Sequence, residues 1–141
     1  MEAIGAPDVA GPPRISFGAG TFSGLHQIIH SYGRRALIIT GAQSLKESGR
    51  LSALALQLDQ AQITCKIVSV RGEPTAELID VLAGEYRLAP IDVVVAIGGG
   101  SVIDCGKAVS AMLTEPGSVK DYLEDVGTRA PAGTKVPFIA V

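Results

Sequence analysis

The sequence predicts an α/β domain in which helices are layered on a mainly parallel sheet. Three observations lead there. Short β-branched runs alternate with longer stretches of helical periodicity. The apolar runs are uninterrupted, as in strands buried on both faces. Ala, Val, Ile and Leu carry the hydrophobicity, with only 4% aromatic residues and no Trp. A chain of 141 residues that is 47% apolar and 18% charged is expected to pack as one globular domain.

Residues 1–13 carry Glu2 and Asp8, no basic cluster and several Gly, Ala and Pro. They read as a loosely ordered lead-in, so the domain is expected over 14–141. The basic start and apolar core of a signal peptide are absent from this stretch. Arg14 to Phe17 reads as a short extended segment closed by Gly18-Ala19-Gly20. Thr21 to Tyr32 places Phe22, Leu25, Ile28 and Ile29 on one helical face, with Gly33 at its C-terminal end. Ala36 to Thr40 is a buried strand ended by Gly41. Leu45 to Leu58 is the next helix, with Leu51, Leu54, Ala55 and Leu58 in register. Thr64 to Val70 is a second strand, and Thr75 caps a helix bearing Leu78, Ile79 and Leu82. Ile91 to Ile97, with three consecutive valines, is the strongest strand. Ser101 to Leu113 follows as a helix, and Lys135 to Val141 as a last strand.

A net charge of −2 offers no electrostatic reason for nucleic acid or an anionic membrane as partner. No apolar run approaches the roughly 20 residues that cross a bilayer. Cys65 and Cys105 form no CxxC and are too few for a disulfide framework. A reduced, cytoplasmic compartment is expected.

The segment VVVAIGGGSVIDCGKAV joins the strongest strand to a helix through Gly98, Gly99 and Gly100. Without Cβ atoms these residues let a ligand approach the backbone. The N–H groups of residues 99 to 102 are expected to converge at the positive end of the helix dipole, a place suited to phosphate or diphosphate. In open α/β sheets such a turn also lies where ligands settle, beyond the strands' C-terminal ends. A ligand-free reading stands beside this one: Ser101 and Asp104 match a capping box, and Lys107 could pair with Asp104 across one turn. Three adjacent glycines add nothing to capping, which favours the phosphate. Two familiar motifs do not fit. GxGxxG requires glycine where Ile103 stands, and the P-loop requires glycine at Ser101 and a hydroxyl at Ala108.

The turn and its helix match the GGGSxxDxxK pattern of the iron-containing alcohol dehydrogenases at Gly98, Gly99, Gly100, Ser101, Asp104 and Lys107. From Arg14 onward, RISFGAG, RRALIIT, the DYLE stretch at Asp121 to Glu124 and the final KVPFIAV also resemble, in order, the N-terminal half of that family. The resemblance implies a Rossmann-like domain that binds NAD or NADP, with the diphosphate on Gly98, Gly99, Gly100 and Ser101. Asp104 and Lys107 match the motif without a firm role. Many NAD-preferring members carry aspartate after the second strand, where it can hold the ribose 2′-hydroxyl. Here the pair is Thr40-Gly41, and a carboxylate that would repel a 2′-phosphate is missing. With Gln43, Ser44 and Lys46 as nearby donors, NADP is expected to be accepted. The bland alternative is that residues 41 to 46 are simply a turn and a helix start.

In the complete enzyme the resemblance implies a helical domain whose aspartate and three histidines hold Fe2+ or Zn2+. That metal polarises the oxygen of a small alcohol or aldehyde, and hydride passes to or from the nicotinamide. The sequence reaches only Val141, before the threonine- and glycine-rich loop that precedes that domain. The helical metal-binding domain is therefore expected to be absent from this chain, which alone should show no turnover; a homodimer is the expected assembly. His26 and His30 stand four apart on a helix, but Gln27 occupies the place of the HExxH glutamate, so a solvated pair is expected. Cys105 reads as a packing residue, and Glu115, Asp121, Glu124 and Asp125 as surface charge. Two other readings remain: a non-catalytic nucleotide-binding module, and a glycerol or sugar-phosphate dehydrogenase or dehydroquinate-synthase-like relative.

Overall fold

The computed structural model describes residues 12–141, so all but the last two residues of the expected lead-in lie outside it. Four strands form a wholly parallel sheet: β1 (Arg35–Thr40), β2 (Thr64–Ser69), β3 (Val93–Ile97) and β4 (Phe138–Ala140), in the order β2-β1-β3-β4. Helices α2 (Ser44–Glu47) and α3 (Arg50–Gln60) connect β1 to β2, α4 (Ala76–Tyr86) connects β2 to β3, and α5 (Gly100–Met112) connects β3 to β4. Helix α1 (Leu25–Tyr32) precedes the sheet.

The uninterrupted apolar runs are explained by two cores, one on each face. Leu37, Ile39, Val94 and Ala96 pack with Ile79, Leu82, Val102, Cys105 and Val109 of α4 and α5. Ile38, Val93 and Val95 pack with Leu25, Ile29, Leu54 and Leu58 of α1 and α3. Every residue of β3 is buried, and each fully buried Val or Ile contributes roughly 1.5–3 kcal/mol relative to exposure. The chain steps outward from β1 to β2 over one face and returns across β1 to β3 over the other. The segments that leave β1 and β3 therefore diverge to opposite faces, opening a crevice at the C-terminal edge between two adjacent strands.

Several boundaries differ from expectation for identifiable reasons. The helix expected over Thr21–Tyr32 begins as a 3-10 turn, Thr21–Gly24, and becomes α-helical only at Leu25. The helix expected over Leu45–Leu58 is two helices, because Gly49 takes a left-handed conformation (φ 77°) and breaks the periodic run. Arg14 to Phe17 joins no sheet and leaves Ile15 and Phe17 exposed. The last strand is confined to Phe138–Ala140. Gly33 does cap α1 and Thr75 does cap α4, its hydroxyl accepting the Leu78 N–H at 3.1 Å.

Charged residues hold the connections together. The Asp92 carboxylate, just before β3, accepts the backbone N–H groups of Arg34 and Arg35 and both Nε and Nη2 of Arg35, the last at 2.8 Å. The guanidinium hydrogen bonds, the two N–H groups and the Arg35 charge outweigh partial burial and hold Asp92 below the usual carboxylate range. The long segment after α5 is tied down in a similar way. Arg87 donates to Met112 O and Gly117 O, while Asp80 accepts from Ser118 Oγ and the Val119 N–H, which opens a 3-10 turn at Val119–Tyr122. Two carboxylates expected on the surface have structural work here. Glu115 is buried and accepts the Ala132 N–H, and Asp121 completes a capping box with Ser118. Only Glu124 and Asp125 are the exposed charges anticipated.

Candidate cofactor site

The turn after β3 is shaped by three glycines with unlike roles. At Gly98 (φ 156°) an added Cβ would come within 2.9 Å of Val102 Cγ2, so the first glycine is required by the protein itself. At Gly99 and Gly100 an added Cβ would meet nothing within 4 Å, and neither residue has a left-handed φ. The fold does not need glycine at those two positions, and the open space lies directly before α5.

No side chain caps this helix. Gly99 is the N-cap residue, and its carbonyl accepts the N–H groups of Val102 and Ile103 at 3.0 and 3.1 Å. The N–H groups of Gly99, Gly100 and Ser101 find no acceptor among the described residues, whereas that of Gly98 bonds Val141 O. Three N–H groups, not the four expected over residues 99 to 102, are thus free at the positive end of a thirteen-residue helix. A diphosphate fits this arrangement, because the missing Cβ atoms clear the approach and the free N–H groups supply donors.

The capping box read from Ser101 and Asp104 does not form. Ser101 lies one residue inside the helix, and its Oγ donates to Glu73 Oε1 at 2.8 Å, bridging to the loop after β2. Asp104 and Lys107 are both exposed on α5 and make no ion pair with each other; the described residues contain two such pairs, Arg35–Asp92 and Lys120–Glu77. Further along the helix, a Cβ at Gly106 would meet Ala96 Cβ and the Phe138 ring at 2.7 Å, so this glycine lets α5 lie tightly on the sheet and fixes where its N-terminus points.

The turn after β1 stands beside this one. Thr40 is opposite Ile97 in the register, and an ideal Cβ on Gly41 would be 3.7 Å from Val102 Cγ2. The two predicted segments, 57 residues apart from Gly41 to Gly98, are brought to one crevice. Within it the residues differ in availability. Thr40 is buried, with Oγ1 3.2 Å from Ser69 Oγ, so its hydroxyl is engaged by the neighbouring strand β2. Gln43 is exposed, as are Ser44 and Lys46 on α2. Ser44, Leu45, Ser48, Arg50, Phe22 and Gly98 line a cleft of about 290 Å³ between this turn and the glycine turn. Arg50 and Glu73 escaped notice in the sequence. Each follows a glycine in a stretch read only as a turn or a helix interior, and only the fold sets them beside Gly98 and Ser101.

Cys105 is buried in the core beneath α5, and desolvation pushes its thiol pKa up, as suits a packing residue. His30 is exposed as expected, but His26 is half-buried, with a buried Nδ1 that has no hydrogen-bond partner. Among the described residues no group of three or more His, Cys, Asp or Glu is placed to hold a metal ion. Nor is any helix among them long and apolar enough to cross a membrane.

A parallel α/β sheet with a glycine-led helix at its topological switch point is the architecture of an open, doubly wound α/β domain. The family of iron-containing alcohol dehydrogenases matches residues 12–141, and the chain belongs to it. It is 32% identical over 113 residues to the probable NADH-dependent butanol dehydrogenase 1 of Bacillus subtilis, covering 79% of this chain and 29% of the relative. It is 29% identical over 131 residues to the NADPH-dependent butanol dehydrogenase of Clostridium saccharobutylicum, covering 92% of this chain and 33% of that one. The crystal structure of NADH-dependent butanol dehydrogenase A from Thermotoga maritima superposes with a TM-score of 0.82 at 26% identity, over 93% of this chain and 33% of that one. The chain thus spans about a third of the length of these relatives.

Proposed function

We propose that this chain forms the dinucleotide-binding part of an alcohol dehydrogenase, with the cofactor diphosphate held by the N–H groups of Gly99, Gly100 and Ser101. The observation that carries the reading is the uncapped start of α5, where Gly99 and Gly100 leave open space that the fold itself does not use. Gly98 sets the turn, and Gly41, Gln43 and Ser44 border the adenosine end; Thr40 supports that edge from within the sheet. When bound, the nicotinamide gives or accepts hydride in the interconversion of a small alcohol and its aldehyde or ketone. The chain's own contribution in this reading is to bind and orient that cofactor. Alcohol turnover is proposed for the enzyme that combines this cofactor site with metal-holding residues.

Both NAD and NADP are proposed as ligands. Relatives are named for each, and Gly41 places no carboxylate where a 2′-phosphate would come. The test is a fluorescence titration with NADH and NADPH, which the absence of Trp leaves free of protein background from that residue. Saturable binding of NADPH, competed by NADP+, is the expected result. Undetectable binding of both overturns the cofactor assignment, tight NADH binding with no NADPH binding overturns the NADP part, and alcohol oxidation by this chain alone overturns the division of labour.

A further inference from the structure

We infer that Arg50 is the residue that sets the cofactor preference, by receiving the 2′-phosphate of NADP in the cleft between α2, α3 and the glycine turn. The inference rests on the assignment of the glycine turn to the cofactor diphosphate and extends it to a residue outside that turn. The cleft, about 290 Å³, is lined by Ser44, Ser48, Arg50 and Gly98 together with the apolar Phe22, Leu45, Ile97 and Val141. Arg50 lies over the Phe22 ring, its guanidinium carbon 6.0 Å from the ring centroid, which restrains a side chain that otherwise sweeps a wide volume. It forms no ion pair and no side-chain hydrogen bond among the described residues, so its five donors are available.

Helix stability does not account for an arginine here. Arg50 is the first residue of α3, where the helix dipole disfavours a cation. What puts it at the cleft is Gly49, whose left-handed φ ends the preceding turn and redirects the chain. Ser48 Oγ donates to Leu45 O at 2.9 Å, which leaves the Ser44 hydroxyl as the free donor beside Arg50. A planar guanidinium with one such hydroxyl suits a dianionic phosphate monoester, while a ribose bearing only a 2′-hydroxyl gains little from it. No carboxylate lines the cleft to compete.

The test compares wild type with Arg50→Ala and Arg50→Lys in fluorescence titrations with NADPH and NADH. Displacement by 2′,5′-ADP and 5′-AMP is measured in parallel. Arg50→Ala is expected to weaken NADPH and 2′,5′-ADP by at least about tenfold while changing NADH and 5′-AMP by less than about twofold. Arg50→Lys should recover part of the loss, since it keeps the charge without the fork. Equal weakening of both dinucleotides, or no change in either, overturns this inference while leaving the diphosphate site intact. Failure of the wild type to bind either dinucleotide overturns the diphosphate site and this inference together. The side chain is exposed, so an unchanged melting temperature is expected and verifies that the variants are folded.

Discussion

After β3 the chain passes within three glycines into α5, thirteen residues long, and leaves the first N–H groups of that helix without acceptors among the described residues. After β1 it passes through Gly41 into a single helical turn, α2, that Gly49 breaks before α3 begins. The two turns sit side by side on adjacent strands, yet they differ in what they can offer a ligand. The first offers backbone donors and a full helix dipole, both fixed by packing at Gly98 and Gly106. The second has too short a helix for a useful dipole and offers side chains instead: Gln43, Ser44 and Arg50. A backbone site is insensitive to most substitutions and suits the diphosphate that every dinucleotide shares. A side-chain site changes with each substitution and suits the ribose end, where NAD and NADP differ.

That contrast can be broken most directly at Gly100. A Gly100→Asp substitution puts a carboxylate into the open space before α5, and dinucleotide affinity should fall at least about tenfold by charge repulsion and occlusion. Because that position is uncrowded and an acid is welcome at a helix N-terminus, the melting temperature should hold or rise slightly. Calorimetric binding alongside thermal unfolding measures both, and retained affinity would mean that the ligand lies elsewhere. The corresponding change in the other turn, Gly41→Asp, should act selectively: NADPH weakened several-fold, NADH unchanged or improved, as read from the ratio of dissociation constants. A uniform loss would erase the proposed distinction between the turns.

The smallest effect is expected at Asp92, at the opposite edge of the sheet, where β1 and β3 start. Its carboxyl sits below its ordinary range when folded, through Arg35 and the two N–H groups. The stabilisation is therefore present above the unfolded-state value, near pH 4, and is lost as pH falls through the lower folded-state value. Asp92→Asn should lower the urea midpoint modestly at pH 7, and the difference from wild type should shrink below pH 4. Dinucleotide affinity should not change, because the residue lies at the strands' far ends. An affinity change would show that the two edges of the sheet are coupled.

Sequence patterns were informative where local chemistry and burial agree. Val93 to Ile97 read as a strand buried on both faces, and Gly98 to Gly100 as a turn that a ligand could approach, beside a ligand-free reading of Ser101 and Asp104 as a capping box. Gly33 and Thr75 were legible as caps because capping depends on residues close in sequence. Arg50 was not legible as a cleft residue, because the helical periodicity of Leu45 to Leu58 runs straight through Gly49 and conceals the break. Glu115 read as surface charge because its partner, the Ala132 N–H, lies in a segment with no periodic signal. Ser101 and Asp104 have the right spacing for a capping box, but the helix starts at Gly100, two residues earlier than a box with Ser101 as N-cap requires.

The sequence by itself therefore determined the class of fold, the family and the place of the glycine turn, since each rests on contiguous residues whose backbone preferences or motif spacing are local. The tertiary structure decided which partners those residues meet: it paired Thr40 with Ser69, gave Ser101 to Glu73, and brought Arg50 and Gly98 to one cleft. The physical reason is that a parallel sheet places the ends of adjacent strands about 5 Å apart however far apart they are in the chain. What meets at such an edge is settled by strand order and helix docking, and neither is written in any one segment.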